Sequence, residues 1–410
     1  MPINSGDTAW LLASAALVML MTPGLALFYG GMVRRKNVLN TMMMSFAMLG
    51  LVGLLWVLYS YSLSFGTDIG GFIGGFDFIG LRNVGQEPHA VYANTTPHLA
   101  FMIYQAMFAI ITVALFTGAI VDRVKFSSLL VFSTLWLTFI YSPVAHWVWG
   151  GGWLAKLGAL DFAGGTVVHI NAGVSALALA MLLGPRKGFA EKEPMEAHNI
   201  PWVMLGAGIL WFGWFGFNAG SALTAGGLAS SAFVATNTAA ATAAFTWMLL
   251  SWIYRRPTAL GTVTGAVIGL VAITPAAGFV APIMGIPIGI GAALVGYYAM
   301  LIRGKTRLDD SLDVLACHGM GGLWGALATG IFASSAVNSL GADGLIYGNI
   351  ALVGKQLVAI VAVAAFAFVG TLILGKLVDM TMGLRVSRTE ETLGLDISQH
   401  GERAYGGLGR

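Results

Sequence analysis

Long apolar runs dominate this 410-residue chain and constrain its fold more than any other feature. Windows of about 19 residues place eleven of them, at 8–30, 39–65, 98–120, 127–149, 165–184, 200–220, 229–254, 259–275, 282–302, 314–333 and 350–378. About 20 apolar residues in a helix match the thickness of a bilayer's hydrocarbon core, so each run is expected to cross one. Composition agrees: 57% of the residues are hydrophobic and 10% charged, against about 25% charged in a soluble domain. No water-soluble fold buries that much apolar surface, and the chain reads as an all-α polytopic membrane protein. The connections are too short for further domains; the longest, 66–97, is rich in Gly, Phe and Asp and is expected to lie on the membrane surface. Small residues spaced four apart, Gly265 with Gly269 and Gly285 with Gly289, fit close helix contact in lipid.

Charge sets the expected topology. With the amino terminus outside, every one of the 21 Lys and Arg except Arg82, Lys156 and Lys355 falls in a cytoplasmic loop or in the carboxyl end, Arg410 included. That is the positive-inside pattern, and an odd number of spans agrees with it. The first 33 residues hold no Lys or Arg, hence no basic n-region of a signal peptide, and the first run is expected to be retained. The single cysteine, Cys317, excludes an internal disulfide and a cysteine metal cluster.

Two stretches share a grammar: Asp161-x7-His169-x3-Gly173 opens the fifth run and Asp310-x7-His318-x3-Gly322 the tenth. If five spans repeat as the next five, the halves start on opposite sides of the membrane, an inverted repeat with the eleventh span added. An isolated histidine near the end of a span is more often packed than functional. Two at matched depth are different, because ionisable groups inside a membrane are costly and line a path or pair with one another. A haem or metal held by the pair would need further ligands, and the sequence offers no such cluster. His89, His98, His146, His198 and His400 fall in loops or near interfaces and receive no role. Asp161 has two readings, a cap for the fifth span's first amides or a fixed charge favouring cations at an entrance. Aromatic residues gather at the outer ends of several spans: Tyr104 and Phe108, Trp149, and Trp211 to Phe217 with Ser221 following. Most tryptophans fit an interfacial belt, while an inward-facing subset can hold a small cation on its ring faces.

Several of these stretches occur together in one known family. Met-Thr-Pro23-Gly-Leu-Ala-Leu-Phe-Tyr-Gly-Gly, Ala145-His-Trp-Val-Trp-Gly-Gly-Gly, the Asp161 to Asn171 run, Trp214-Phe-Gly-Phe-Asn-Ala-Gly-Ser and Gly394-Leu-Asp-Ile-Ser-Gln-His-Gly-Glu-Arg-Ala-Tyr405 resemble, in order, the ammonium transporter (Amt) branch of the Amt/Rh family. The resemblance runs from about residue 8 to residue 405. It implies a homotrimer of eleven-helix subunits, a 5+5 inverted pseudo-twofold repeat plus one helix, and one pore in each subunit. The membrane domain would be 1–383, with repeats at about 8–184 and 200–333 and the eleventh helix at about 350–378, and 384–410 would be a cytoplasmic regulatory tail. The resemblance assigns Phe108, Trp149, Ser221 and Asp161 to the external substrate site, Phe108 and Phe217 to a stacked pore gate, and His169 and His318 to the pore. Tyr104 stands where another phenylalanine is expected, and it is left out of the site.

The function implied is selective ammonium uptake through a cell membrane by a protein that is not an enzyme, uses no cofactor or metal and has no nucleic-acid partner. Ammonium (or methylammonium as analogue) would be collected outside, deprotonated, and passed as ammonia along an apolar bore lined by the two histidines, with the proton moving too. The alternatives are an electroneutral ammonia or carbon dioxide channel of Rh type, and an ammonium sensor acting through a PII-type nitrogen-signalling protein at the tail.

Overall fold

The computed structural model describes residues 2–406, so Arg410 lies outside the described residues. Ten helices among them are long and apolar enough to cross a membrane. These are α1 (Ser5–Met32), α2 (Arg35–Phe65), α3 (His98–Thr117), α4 (Phe126–Leu157), α5 (Gly165–Leu183), α6 (Ile200–Ala222) and α7 (Gly227–Tyr254). After α8 (Ala259–Ile273), which is apolar but shorter, come α9 (Pro282–Arg303), α10 (Leu315–Phe332) and α11 (Ile350–Met382). The chain is thus a predominantly helical, multi-pass membrane protein.

At 1.5 Å per residue the 15 residues of α8 reach only about 22 Å. The remainder is covered by Thr274–Val280, which continues in turns and is buried throughout. Irregular backbone at membrane depth is stable only where protein, not lipid, surrounds it. The same device follows α3, where Gly118–Asp122 runs on in buried turns. Each extension receives the segment that precedes a histidine helix: Phe162 N–H donates to the Pro275 carbonyl at 3.1 Å, and Ser311 N–H to the Ala119 carbonyl at 3.3 Å.

Close helix approach follows the small residues, as the four-residue glycine spacings predict. A Cβ on Gly269 or Gly289 would lie 2.6 or 2.5 Å from the Ala239 carbonyl oxygen, so α8 and α9 both seat their glycines against the alanine stripe of α7. α1 and α6 meet in the same way, a Cβ on Gly206 falling 2.4 Å from Phe28 N.

Segment 66–97 folds into two small antiparallel hairpins, β1 (Asp68–Ile69) with β2 (Ile73–Gly74) and β3 (Pro88–His89) with β4 (Ala93–Pro97). The amino terminus belongs to this face: Asn4 N–H donates to the Thr95 carbonyl at 2.8 Å, and Asp7 accepts from Ala225 N–H at 2.7 Å. On the opposite face the ends of α1, α3 and α5 meet the approach to α10. Arg186 clasps Asp309 through Nε and Nη2 at 2.9 Å each, and Arg34 Nε pairs with Asp122 at 3.0 Å. The tail docks there as two short helices, α12 (Arg388–Leu393) and α13 (Leu395–His400). Leu395 N–H donates to Asn37 Oδ1 and Asn40 N–H to Asp396, both at 2.8 Å, while Lys36 Nζ caps the Glu391 and Thr392 carbonyls.

Candidate functional site

Both histidine helices open with a six-residue π-helical turn, Gly165–Ile170 in α5 and Leu315–Met320 in α10. Such a turn inserts an extra residue and re-aims the side chains on it, which is why π turns recur at functional sites. The aspartate of each motif caps its helix. Asp161 Oδ1 accepts from Gly164 and Gly165 N–H at 2.8 and 2.6 Å; Oδ2 accepts from Thr166 N–H at 2.7 Å, from the Thr166 hydroxyl and from Val167 N–H. Burial pushes the Asp161 carboxyl up and these bonds pull it back. Asp310 accepts from Leu315 N–H at 2.7 Å, but its Oδ1 is buried with no partner.

The glycine of each motif serves the other half. A Cβ on Gly173 would lie 2.1 Å from Gly319 N and 2.9 Å from the His318 carbonyl carbon; one on Gly322 would lie 3.0 Å from His169 Cβ and from the Gly165 carbonyl oxygen. The two π turns therefore cross backbone to backbone. That crossing brings His169 and His318 together with their Nδ1 atoms 3.2 Å apart and their rings 20° from parallel. His169 also stacks on Trp214 (5.4 Å between centroids, 21°), whose indole N–H is held by Thr274 Oγ1 at 2.8 Å. His169 Nε2 has no protein partner.

The pair lines a bore with room for about 10 Å³, walled by Met21, Leu25, Phe28, Ile111, Leu115, Val168, Leu210, Trp214, Phe217 and Val267. This is near the smallest space that holds one water-sized molecule. On one side His318 opens onto a cavity of about 680 Å³ that carries Arg186, Arg303, Asp313 and Cys317 on its walls. On the other side, toward the face that carries the two hairpins, stands a cavity of about 280 Å³, lined among others by Tyr92, Phe101, Tyr104, Gln105, Phe108, Trp149 and Ser221, and named the outer cavity for its place beyond the bore. Phe108 and Phe217, stacked 4.1 Å apart at 19°, separate this outer cavity from the bore.

Three elements build the outer cavity. α3 contributes Phe101, Tyr104, Gln105 and Phe108 at three- and four-residue spacing, one helical face. α6 presents Phe217 one turn before Ser221, whose Oγ donates to the Phe217 carbonyl at 2.9 Å. α4 brings in Trp149, with its ring edge-on to Phe108 at 5.8 Å and its indole N–H held by the Asp161 carbonyl at 2.9 Å. The sequence-predicted residues Phe108, Trp149, Ser221, Phe217, His169 and His318 therefore form one line from cavity to bore. Asp161 is not on its walls: its carboxylate is occupied in the cap, and it reaches the site only through the carbonyl that holds Trp149.

Sequence reasoning left out Tyr104, which it had placed beside Phe108, and missed Gln105 and Tyr92. The Tyr104 hydroxyl donates to the Gly216 and Phe217 carbonyls at 2.9 Å and lies 3.1 Å from Ser221 Oγ. Gln105 Oε1 is buried without a partner. Helical spacing from Phe108 was the signal for those two; Tyr92 arrives from the hairpin before α3, and no local pattern announces it. Among the described residues no group of three metal-binding side chains occurs.

A profile of the Ammonium Transporter Family matches residues 9–405. The chain is 54% identical over 403 residues to the ammonium transporter Amt1 of Archaeoglobus fulgidus, covering 98% of this chain and 100% of that one. It is 51% identical over 407 residues to an ammonium transporter of Bacillus subtilis, covering 98% and 99%. Among solved structures, Candida albicans Mep2 superposes with a TM-score of 0.89 at 36% identity, over 98% of this chain and 91% of Mep2. A protein described as a sensor Amt superposes at 0.87 with 28% identity, over 96% and 98%. With the matching profile spanning nearly all of its length, this chain belongs to the ammonium transporter family.

Proposed function

We propose that this protein takes up ammonium across the cell membrane by stripping its proton at the outer cavity and passing ammonia through the bore. The observation that carries the reading is the line of contact from Trp149 and Ser221, through the Phe108–Phe217 stack, to two histidines 3.2 Å apart in an apolar passage. Moving a bare ion of this size into a low-dielectric medium costs on the order of 20 kcal/mol in the ideal limit, which rejects potassium and ammonium alike. Ammonium alone can become neutral. Outside, the rings of Trp149 and Phe108 attract the cation, and Ser221 Oγ and Gln105 Oε1 accept its N–H bonds.

The histidine contact then has a chemical consequence. Two neutral imidazoles facing through Nδ1 share one proton there, so one ring's Nε2 accepts and the other's donates. Ammonia, both donor and acceptor, finds a partner at each, and exchange of the shared proton lets the pair relay one. Proton and ammonia thereby move together. Replacing His169 and His318 together by apolar residues should abolish charge-coupled uptake in proteoliposomes; undiminished ammonium current with potassium still excluded would remove the pair from the mechanism. An electroneutral channel would give no current in the unmodified protein.

We read α1 to α11 as eleven crossings, with the amino terminus outside and the tail cytoplasmic. The docking of the two termini on opposite faces supports this, as do the basic loops gathered at the tail. The matched bonds Phe162 to Pro275 and Ser311 to Ala119, and the reciprocal glycine contacts, support a 5+5 inverted repeat followed by α11. The functional unit is a homotrimer with one pore per subunit, and 384–410 is a regulatory tail that a PII-type protein contacts. The ordered docking of α12 and α13 favours signalling through the tail as a second role; loss of PII binding on removing it is the test.

A further inference from the structure

His146 received no role from its position in the sequence, yet its ring is fully buried and both nitrogens are engaged. Nδ1 lies 3.0 Å from the Ser64 carbonyl and Nε2 2.9 Å from the Asp68 carboxylate. Both partners can only accept, since Lys156 and His146 hold the Asp68 carboxyl down at about 2 and keep it ionised. Both sides of the ring are therefore held, one by the Ser64 carbonyl and the other by Asp68. Asp68 takes further bonds from Lys156 Nζ at 2.5 Å and Gly71 N–H at 2.7 Å. Lys156 is largely exposed, so its share is small.

The pair lies directly beneath the turn that carries Trp149. A Cβ on Gly150 would fall 2.1 Å from the Ser64 carbonyl oxygen and 2.5 Å from His146 Nδ1, so the imidazole packs directly on the backbone of the residue after Trp149. The His146 carbonyl accepts from Gly150 and Gly152 N–H, closing the turn, and the Gly150 carbonyl accepts from Tyr92 Oη at 3.3 Å. Two walls of the outer cavity, Trp149 and Tyr92, thus hang on one hydrogen-bonded staple between α4 and β1.

We propose that the Asp68–His146 pair is a positioning device for the outer cation site, fixing the Trp149 indole over Phe108 through the Gly150 turn. The inference rests on the reading of Trp149 as part of that site. The pair touches no substrate; it sets where the ring face points. Losing that placement weakens capture without touching the bore, and an interaction made equally in ground and transition states shows in half-saturation, not in maximal rate.

The test is methylammonium uptake by the full-length protein in proteoliposomes. His146→Gln and Asp68→Asn should each raise the half-saturating concentration roughly tenfold, the scale of one lost cation–π contact, and leave the maximal rate standing. In a Trp149→Leu background, His146→Gln should add almost nothing. Unchanged half-saturation in both single variants, a loss confined to maximal rate, or an equal shift in the Trp149→Leu background would each overturn the proposal. If His146→Gln does not insert and fold, Asp68→Asn alone and in the Trp149→Leu background makes the same comparison. A Trp149→Leu protein with unaltered half-saturation would sink the outer-site reading and this inference together; a Trp149→Leu shift beside silent His146→Gln and Asp68→Asn sinks this inference alone.

Discussion

At the scale of single residues, the histidine contact depends on two positions that carry no side chain. Gly173 lies against the backbone of Gly319, and an added Cβ would sit 2.1 Å from its nitrogen. Gly322 has nearest contacts at 3.0 Å, where small shifts suffice. Overpacking of this kind typically costs about 1–3 kcal/mol, so Gly173→Ala should lower Tm and uptake well below Gly322→Ala. Paired melting and uptake measurements check the order, and equal effects would mean that the turns do not cross this closely. Asp310 makes a second prediction. Burial, then the nearby Asp313 carboxylate, pushes it up to about 6 from 3.8. A raised carboxyl contributes nothing where both states are protonated, below about pH 4, and its ionisation costs up to about 3 kcal/mol above pH 6. An asparagine in its place does not titrate, so the Tm of Asp310→Asn should gain on the unmodified protein as pH rises from about 4.5 to 7. A constant difference would count against the raised value.

At the scale of elements, α5 and α10 begin inside the protein, and their first amides need acceptors. Asp161 supplies two oxygens with five hydrogen bonds and, through its carbonyl, anchors the Trp149 indole. Losing an N-cap costs about 0.5–2 kcal/mol. Asp161→Ala should therefore lower Tm and also raise the half-saturating methylammonium concentration, whereas Asp161→Asn, which keeps one acceptor, should do less of both. A drop in Tm with half-saturation untouched would confine Asp161 to the cap. The cap, one of two readings open in the sequence, is made by both carboxylate oxygens. The stop of α8 after 15 residues was written only in Pro275, two positions past its last residue. The apolar pattern runs on through residue 275, but buried turns replace the helix so that the Pro275 carbonyl can receive Phe162.

At the scale of the whole molecule, the tail is tied to the loops that support the histidine helices. Asn37 accepts from Leu395 N–H and donates to Asp122, which faces Arg186, and Arg186 grips Asp309 beside the α10 cap. Deleting 386–410 should therefore reduce uptake as well as PII-type binding; transport and binding that both survive the deletion would show the tail to be a passive end. Asn37→Ala, which breaks the link at one residue while leaving the tail in place, should move uptake in the same direction by a smaller amount.

The sequence alone settled the solvent this chain folds in, because a chain with 57% hydrophobic and 10% charged residues cannot hide its apolar runs in water. It also settled which residue types stand at matched positions of the two halves, since covalent spacing is independent of packing. What tertiary structure decided is which of those residues meet. His169 and His318 are 149 positions apart, and only the crossing of two π turns over bare glycine backbone brings their rings into contact. Tyr92 reached the outer cavity, and Asp68 reached His146 beneath it, through the 66–97 segment, whose course is set by long-range hydrogen bonds that leave no periodic mark in the sequence.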